Sequence, residues 1–215
     1  MNKDILVESL ENVIHSRKST RTYSTEFPNE EVMKKIIQSA IYAPYSRATG
    51  LPYQEIRKVF ILSQHTEKFE IAKEILLSEM RKISVKVNRL LFFLPFLRKK
   101  MGPFATKITT QSKFGIPSLN DAAYYVIIAE KKGFPLMAKQ SIAYAMENIW
   151  LSSTAVGLGF QLITETGILS DSKKFRELLG LPKGYQLDGC VIGIPPKNTA
   201  TEIKQFDFDK FVTWL

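Results

Sequence analysis

A chain of 215 residues with 45% hydrophobic and 24% charged residues has the composition of a folded globular protein, which excludes a disordered chain. One cysteine, Cys190, and two histidines, His15 and His65, exclude a disulfide framework and leave too few ligands for a zinc site. The formal charge of +9 is concentrated: residues 80–120 carry nine cations (Arg81, Lys82, Lys86, Arg89, Arg98, Lys99, Lys100, Lys107 and Lys113) and no Asp or Glu.

The length predicts one domain over 1–215, with 80–120 as a basic insertion and 197–215 as a carboxyl-terminal tail. The opening MNKDILVESLEN is acidic and lacks a long apolar run, so no signal peptide and a cytoplasmic location are expected. Ile5, Leu6, Leu10, Val13 and Ile14 have helical spacing. After the polar run SRKSTRTYSTEFP, Asn29 is placed to cap a second helix, with Glu30 and Glu31 at its positive end and Pro44 as its stop.

Residues 58–62 (KVFIL) read as a buried strand, and Glu67 to Leu94 as a helix. Pro95, Gly102 and Pro103 are expected to break the basic region into pieces. YYVIIA at 124–129 predicts a central strand, and 136–156 a long helix rich in small residues that ends at Gly157. A strand is expected over 159–164 and a helix over 171–179 capped by Ser170. A last strand is expected over 189–194. Helices alternating with short strands give an α/β or α+β fold, one sheet covered by helices.

Nucleophile elbows and Gly-rich phosphate loops are missing, so a bound cofactor is expected to carry any reaction. No catalytic residue and no metal ligand is assigned. The informative segment is Arg17-Lys18-Ser19-Thr20-Arg21. Its guanidinium groups suit a phosphate held by bidentate hydrogen bonds, and Ser19 adds a hydroxyl. A solvated basic loop is the competing reading.

Four motifs in order resemble the nitroreductase-like FMN-dependent oxidoreductases. They are Arg17-x-Ser19-x-Arg21; the acid-capped helix ending in Ala43-Pro44-Tyr45-Ser46; Gly157-Leu158-Gly159 leading into a strand; and Leu179-Gly180-Leu181-Pro182-Lys183-Gly184-Tyr185 followed by Gly193-Ile194-Pro195. The resemblance implies a three-layer α+β fold with a mixed, mostly antiparallel sheet. It also implies bound FMN, a homodimer, and ping-pong hydride transfer from NAD(P)H through flavin N5 to a small aromatic, nitro or quinone-type acceptor.

By the same resemblance, Arg17, Lys18, Ser19 and Arg21 hold the phosphate and the pyrimidine edge. Pro44, Tyr45 and Ser46 line the partner subunit's flavin, Leu162, Ile163 and Thr164 cover its ring, and Lys197 reaches the phosphate. The 136–156 helix becomes the dimer core, with Trp214 and the tail phenylalanines on the partner. Arg47-Ala48-Thr49-Gly50 replaces the amides usual in the family at that loop, which keeps a non-catalytic FMN sensor or storage protein as the alternative.

The basic insertion reads as a lid over the site, as an interfacial element on anionic lipid, or as an ordinary packed hairpin. It has no recognisable nucleic-acid module, so no nucleic-acid partner is expected. Cys190 and Trp150 read as core, and His15 as a partner of a helix carboxyl end.

Overall fold

A computed structural model describes residues 3–45, 50–197 and 206–214. The elements are α1 (Lys3–Ser16), α2 (Glu30–Ile41), the short α3 (Tyr53–Ile56), β1 (Arg57–Ser63), α4 (Glu67–Phe93), α5 (Arg98–Phe114), α6 (Pro117–Asp121), β2 (Tyr124–Lys131), α7 (Ala138–Ala155), β3 (Gly159–Leu162), α8 (Lys173–Leu179) and β4 (Tyr185–Gly193). Short 3-10 turns occupy Pro95–Leu97, Thr164–Asp171 and Phe208–Lys210.

Four strands pair antiparallel in the order β1-β2-β4-β3. β2 is buried from Tyr125 to Glu130, as a central strand with both faces covered must be. Val126 and Ile128 of β2, with Cys190 and Ile192 of β4, face α2 and α7. Tyr125, Ile127 and Ala129, with Leu187 and Val191, face the layer built from α4, α8 and the Thr164–Asp171 turn. The result is a three-layer α+β fold.

Local chemistry explains the helices. Asn29 Oδ1 accepts from the Glu31 amide at 2.8 Å, capping α2 as expected. Met33, Ile36, Ile37 and Ala40 then bury one stripe of α2. Thr66 caps α4, which buries Phe69, Ala72, Leu76 and Met80 at spacings of three and four. At 27 residues, α4 is about 40 Å long, and its distal half packs against α5. There Ser84, Asn88 and Thr109 form a small polar cluster, with Ser84 Oγ 2.8 Å from Thr109 Oγ1.

Five sequence expectations change. α5 runs unbroken through Gly102 and Pro103, so only Pro95 interrupts the basic region. Pro103 lies near the start of α5 and is exposed, where water serves the carbonyl that its missing N–H leaves unpaired. β3 stops at Leu162: the Ile163 amide still meets the Gly189 carbonyl in register at 2.8 Å, but the Thr166 amide donates back to Ile163 as Thr164 opens a 3-10 turn.

Ser172, not Ser170, caps α8 by accepting from the Phe175 amide. Ser170 is buried and instead accepts from the Leu187 amide at 2.9 Å. β4 begins earlier than expected, at Tyr185. Trp150 is only half-buried. Cys190 is buried core, its thiol pushed well above its ordinary range by desolvation. In the tail, Phe206, Phe211 and Trp214 are exposed. Among the described residues no helix is long and apolar enough to cross a membrane.

Candidate functional site

The Arg17–Arg21 segment lies along the free edge of β3. Ser19 bridges Phe160 in parallel, and the Thr20 amide donates to the Phe160 carbonyl at 2.9 Å. The strip meets β3 at this one bridge, with Arg17 on the α7 side. Beyond Thr20, which packs at Gly159, the chain turns across the end of the sheet, where Tyr23 packs at Gly193 of β4.

Close packing fixes the strip. Tyr23 is buried, and its hydroxyl donates to the Thr20 carbonyl at 2.8 Å. Burial pushes its phenol well above the usual range, so it stays a neutral donor. The Ser24 amide donates to Ile194 at 2.8 Å, tying the strip to the chain just beyond β4. Gly159 is required because a Cβ there would stand 2.7 Å from Thr20 Cγ2. Lys197, exposed, follows Ile194 by three residues.

The cations are not equivalent. Arg17 Nε lies 3.2 Å from Glu147 Oε1, and its guanidinium sits 4.5 Å from the centroid of the Trp150 ring, which stacks on Phe160. Helix α7 thus holds Arg17 in place. Lys18 and Ser19 are half-buried and Arg21 is exposed. Neutralising the competitor should release Arg17 to an anion. Glu147→Gln is expected to tighten FMN binding several-fold, read by flavin fluorescence quenching. Weaker binding in the variant would show instead that Glu147 positions Arg17 productively.

Beyond β3, Leu162 is half-buried, Ile163 is buried and Thr164 is exposed. Their path is set from behind: Thr166 Oγ1 lies 2.7 Å from the Tyr125 hydroxyl, and a Cβ at Gly189 would stand 2.5 Å from that Oγ1. Lys107 of α5 pairs with Glu165 at 2.8 Å, fastening the basic hairpin to this turn.

A cleft of about 390 Å³ opens beside Thr164, lined by Lys139, Ile142, Gly167, Gln186 and Asp188 among others. Desolvation raises the Asp188 carboxyl to about 6 from an ordinary 3.8, although its Oδ1 accepts from the Gly189 amide at 2.8 Å. The native state therefore keeps this proton to higher pH than the unfolded chain does. Its contribution is complete below about pH 3.8 and is lost as pH rises through about 6. Asp188→Asn should raise unfolding free energy by about 1–2 kcal/mol at neutral pH and by little near pH 4. Urea unfolding at both pH values checks this, and a pH-independent difference would refute it.

Pro44 and Tyr45 lie elsewhere, organised by a buried ion pair. Arg57 Nε meets Glu130 Oε2 at 2.8 Å, with both side chains essentially fully buried. The same guanidinium donates to the carbonyls of Ala40 (2.8 Å), Ala43 (2.9 Å), Pro44 (2.9 Å) and Ser141 (3.1 Å). Tyr45 packs on Tyr53, with ring centroids 4.4 Å apart. Ser46 lies outside the described residues.

Ser141 and Trp150 are nine residues apart on α7, or about 13 Å. Pro44 shares the Arg57 guanidinium with Ser141, whereas Arg17 sits over Trp150, so the two motifs meet α7 at different points. Sequence reasoning missed Arg57 and Glu130, whose pairing spans 73 positions. It also missed Tyr23 and Glu147. Arginine and glutamate at the ends of two otherwise apolar strands were the available signal. Among the described residues, no cluster of three or more His, Cys, Asp or Glu is arranged to hold a metal ion.

Helices on both faces of an antiparallel sheet, with a basic strip added parallel to its edge strand, define the class of fold. The chain belongs to the Nitroreductase family, whose sequence model matches residues 14–194. Among solved structures it is similar to a nitroreductase with bound FMN from Bacteroides fragilis NCTC 9343 (17% identity, all of both chains, TM-score 0.71). It is also similar to a nitroreductase with bound FMN from Desulfitobacterium hafniense DCB-2 (19% identity, 100% of this chain and 99% of that one, TM-score 0.67). A third is a BluB-like flavoprotein from Clostridium difficile 630 (17% identity, 96% and 98%, TM-score 0.68). At such identities the likeness establishes the fold. Comparison with curated protein sequences finds no match.

Proposed function

We propose that this chain is an FMN-dependent oxidoreductase that takes hydride from NAD(P)H and reduces a small aromatic, nitro or quinone-type acceptor. The observation that carries the reading is the basic strip fixed to Phe160 of β3, with Arg17 held by α7. Arg17, Lys18 and Ser19, with Lys197, suit the phosphate. Arg21, exposed, suits the pyrimidine edge. The residue types fit the group: cations and a hydroxyl at one end, an apolar strand and exposed backbone at the other.

FMN, when bound, supplies the two-electron chemistry, so the protein needs no nucleophile of its own. Ile163 and Thr164 form a rigid floor, held by Tyr125, Thr166 and Gly189. Arg21 would supply positive charge to a bound flavin, which favours the anion that reduction forms.

The working unit is a homodimer, because the Pro44 motif and the strip meet α7 at different points. The surface supports this: Ile5, Leu6, Val7, Leu10 and Ile14 of α1 are all exposed, and no α1 residue is buried. The whole of 1–215 acts as one domain in this reading.

Anaerobic addition of NADH or NADPH to FMN-loaded protein tests the activity. Loss of the oxidised flavin's visible absorbance, restored by a quinone, is expected. Flavin that binds but is reduced by neither nucleotide would give the sensor or storage protein instead.

A further inference from the structure

The α4–α5 hairpin ends in a surface that the redox reading does not use. Phe92, Phe93 and Phe96 are 73%, 69% and 75% exposed, and Val85, Leu90 and Leu94 add exposed aliphatic surface beside them. These side chains are not needed to close the hairpin. Its interior is already filled by buried Leu91, Ala105 and Ile108, and by the Ser84–Asn88–Thr109 cluster. Three phenylalanines within five residues, held on a rigid tip in water, mark an interaction site.

The charges around that tip are of one sign. Lys86 and Arg89 lie on the last turns of α4, and Arg98, Lys99 and Lys100 open α5. None of these five has an ion pair among the described residues, whereas Lys82 is paired with Glu79 and Lys107 with Glu165. A groove of about 470 Å³ combines both features, lined by Val85, Lys86, Arg89, Leu90, Phe93 and Leu94.

We propose that this tip docks on anionic lipid, with Phe92, Phe93 and Phe96 in the headgroup–acyl boundary and Lys86, Arg89, Arg98, Lys99 and Lys100 on the phosphates. Aromatic rings and snorkelling cations at one level are the arrangement of an interfacial anchor. The tip lies on the membrane and does not span it, in keeping with the helices described.

Other occupants fit less well. A second copy meeting the tip through the same surface would bring ten of these unpaired cations together. A nucleic acid would use the cations and leave Val85, Leu90 and Leu94 in water. The surface is separate from the basic strip at β3, so it stands whether or not FMN binds there.

Co-sedimentation of the full chain with vesicles tests the proposal. Binding to mixed phosphatidylcholine–phosphatidylglycerol vesicles should exceed binding to phosphatidylcholine alone by about tenfold or more and should fall with added salt. Replacing Phe92, Phe93 and Phe96 together by Ser, or Lys99 and Lys100 together by Glu, should weaken it about tenfold with an unchanged circular dichroism spectrum. In Phe96→Trp protein the indole emission should shift to the blue on adding anionic vesicles.

Equal binding to both vesicle types, no binding to either, or variants that pellet like wild type would overturn the proposal. So would self-association in ultracentrifugation that the Phe→Ser variant abolishes while vesicles bind nothing, which would assign the tip to a second copy.

Discussion

Arg57→Met should destabilise the protein by about 3–5 kcal/mol, because it strands a buried carboxylate. Glu130 is fully buried, and its Oε1 already has no hydrogen-bond partner. Without Arg57 its Oε2 loses its partner too. The carbonyls of Ala40, Ala43, Pro44 and Ser141 lose their donor at the same time. For a chain of this size the melting temperature should fall by about 10 °C.

The double variant Arg57→Met/Glu130→Met should recover part of the loss, since it removes the stranded carboxylate while the four carbonyls stay without their donor. Calorimetry on the three proteins decides the matter. A loss below about 1 kcal/mol for Arg57→Met would mean the pair behaves like a surface ion pair. The consequence reaches the site, because the guanidinium fixes the end of α2 and with it Pro44 and Tyr45. The double variant should therefore be stable yet bind FMN more weakly than wild type.

Replacing Arg17 and Arg21 together by Ala should weaken FMN binding by about 10²-fold or more, taking each charged hydrogen bond as about 1.5–3 kcal/mol. Both residues are exposed and neither lies in the core, so the melting temperature of the flavin-free protein should move little. Arg21→Lys should restore part of the affinity, since a point charge replaces a fork. Flavin fluorescence quenching reads all three. Unchanged affinity in the double variant would place the phosphate elsewhere.

Local chemistry made much of the fold legible in the sequence. Asn29 and Thr66 cap helices through bonds to residues two and three positions on, and Gly180 ends α8 in the left-handed conformation. Such signals lie within one helical turn, and the apolar periods of α2, α4 and β2 are equally local. The Arg-x-Ser-x-Arg strip was visible as chemistry, and the structure adds its bridge to Phe160 of β3.

What escaped depends on contacts between distant segments. Glu147 and Trp150 capture Arg17 from another element. Thr164 leaves the strand into a 3-10 turn in which Thr166 meets the Tyr125 hydroxyl on β2. Ser170 and Ser172 are both hydroxyls near a helix start, and only the approach of Leu187 selects Ser172 as the cap. Pro103 was read by its propensity, but at an exposed position in the second turn of α5 the helix tolerates it.

The central claim is that the strip beside β3 holds FMN by its phosphate. Titration of the flavin-free protein with FMN and with riboflavin tests it most directly, because the two ligands differ only in that phosphate. FMN should bind about 10²-fold more tightly than riboflavin, with the preference largely lost in the Arg17→Ala/Arg21→Ala variant. Equal affinity for the two ligands, or binding of neither, would contradict the assignment.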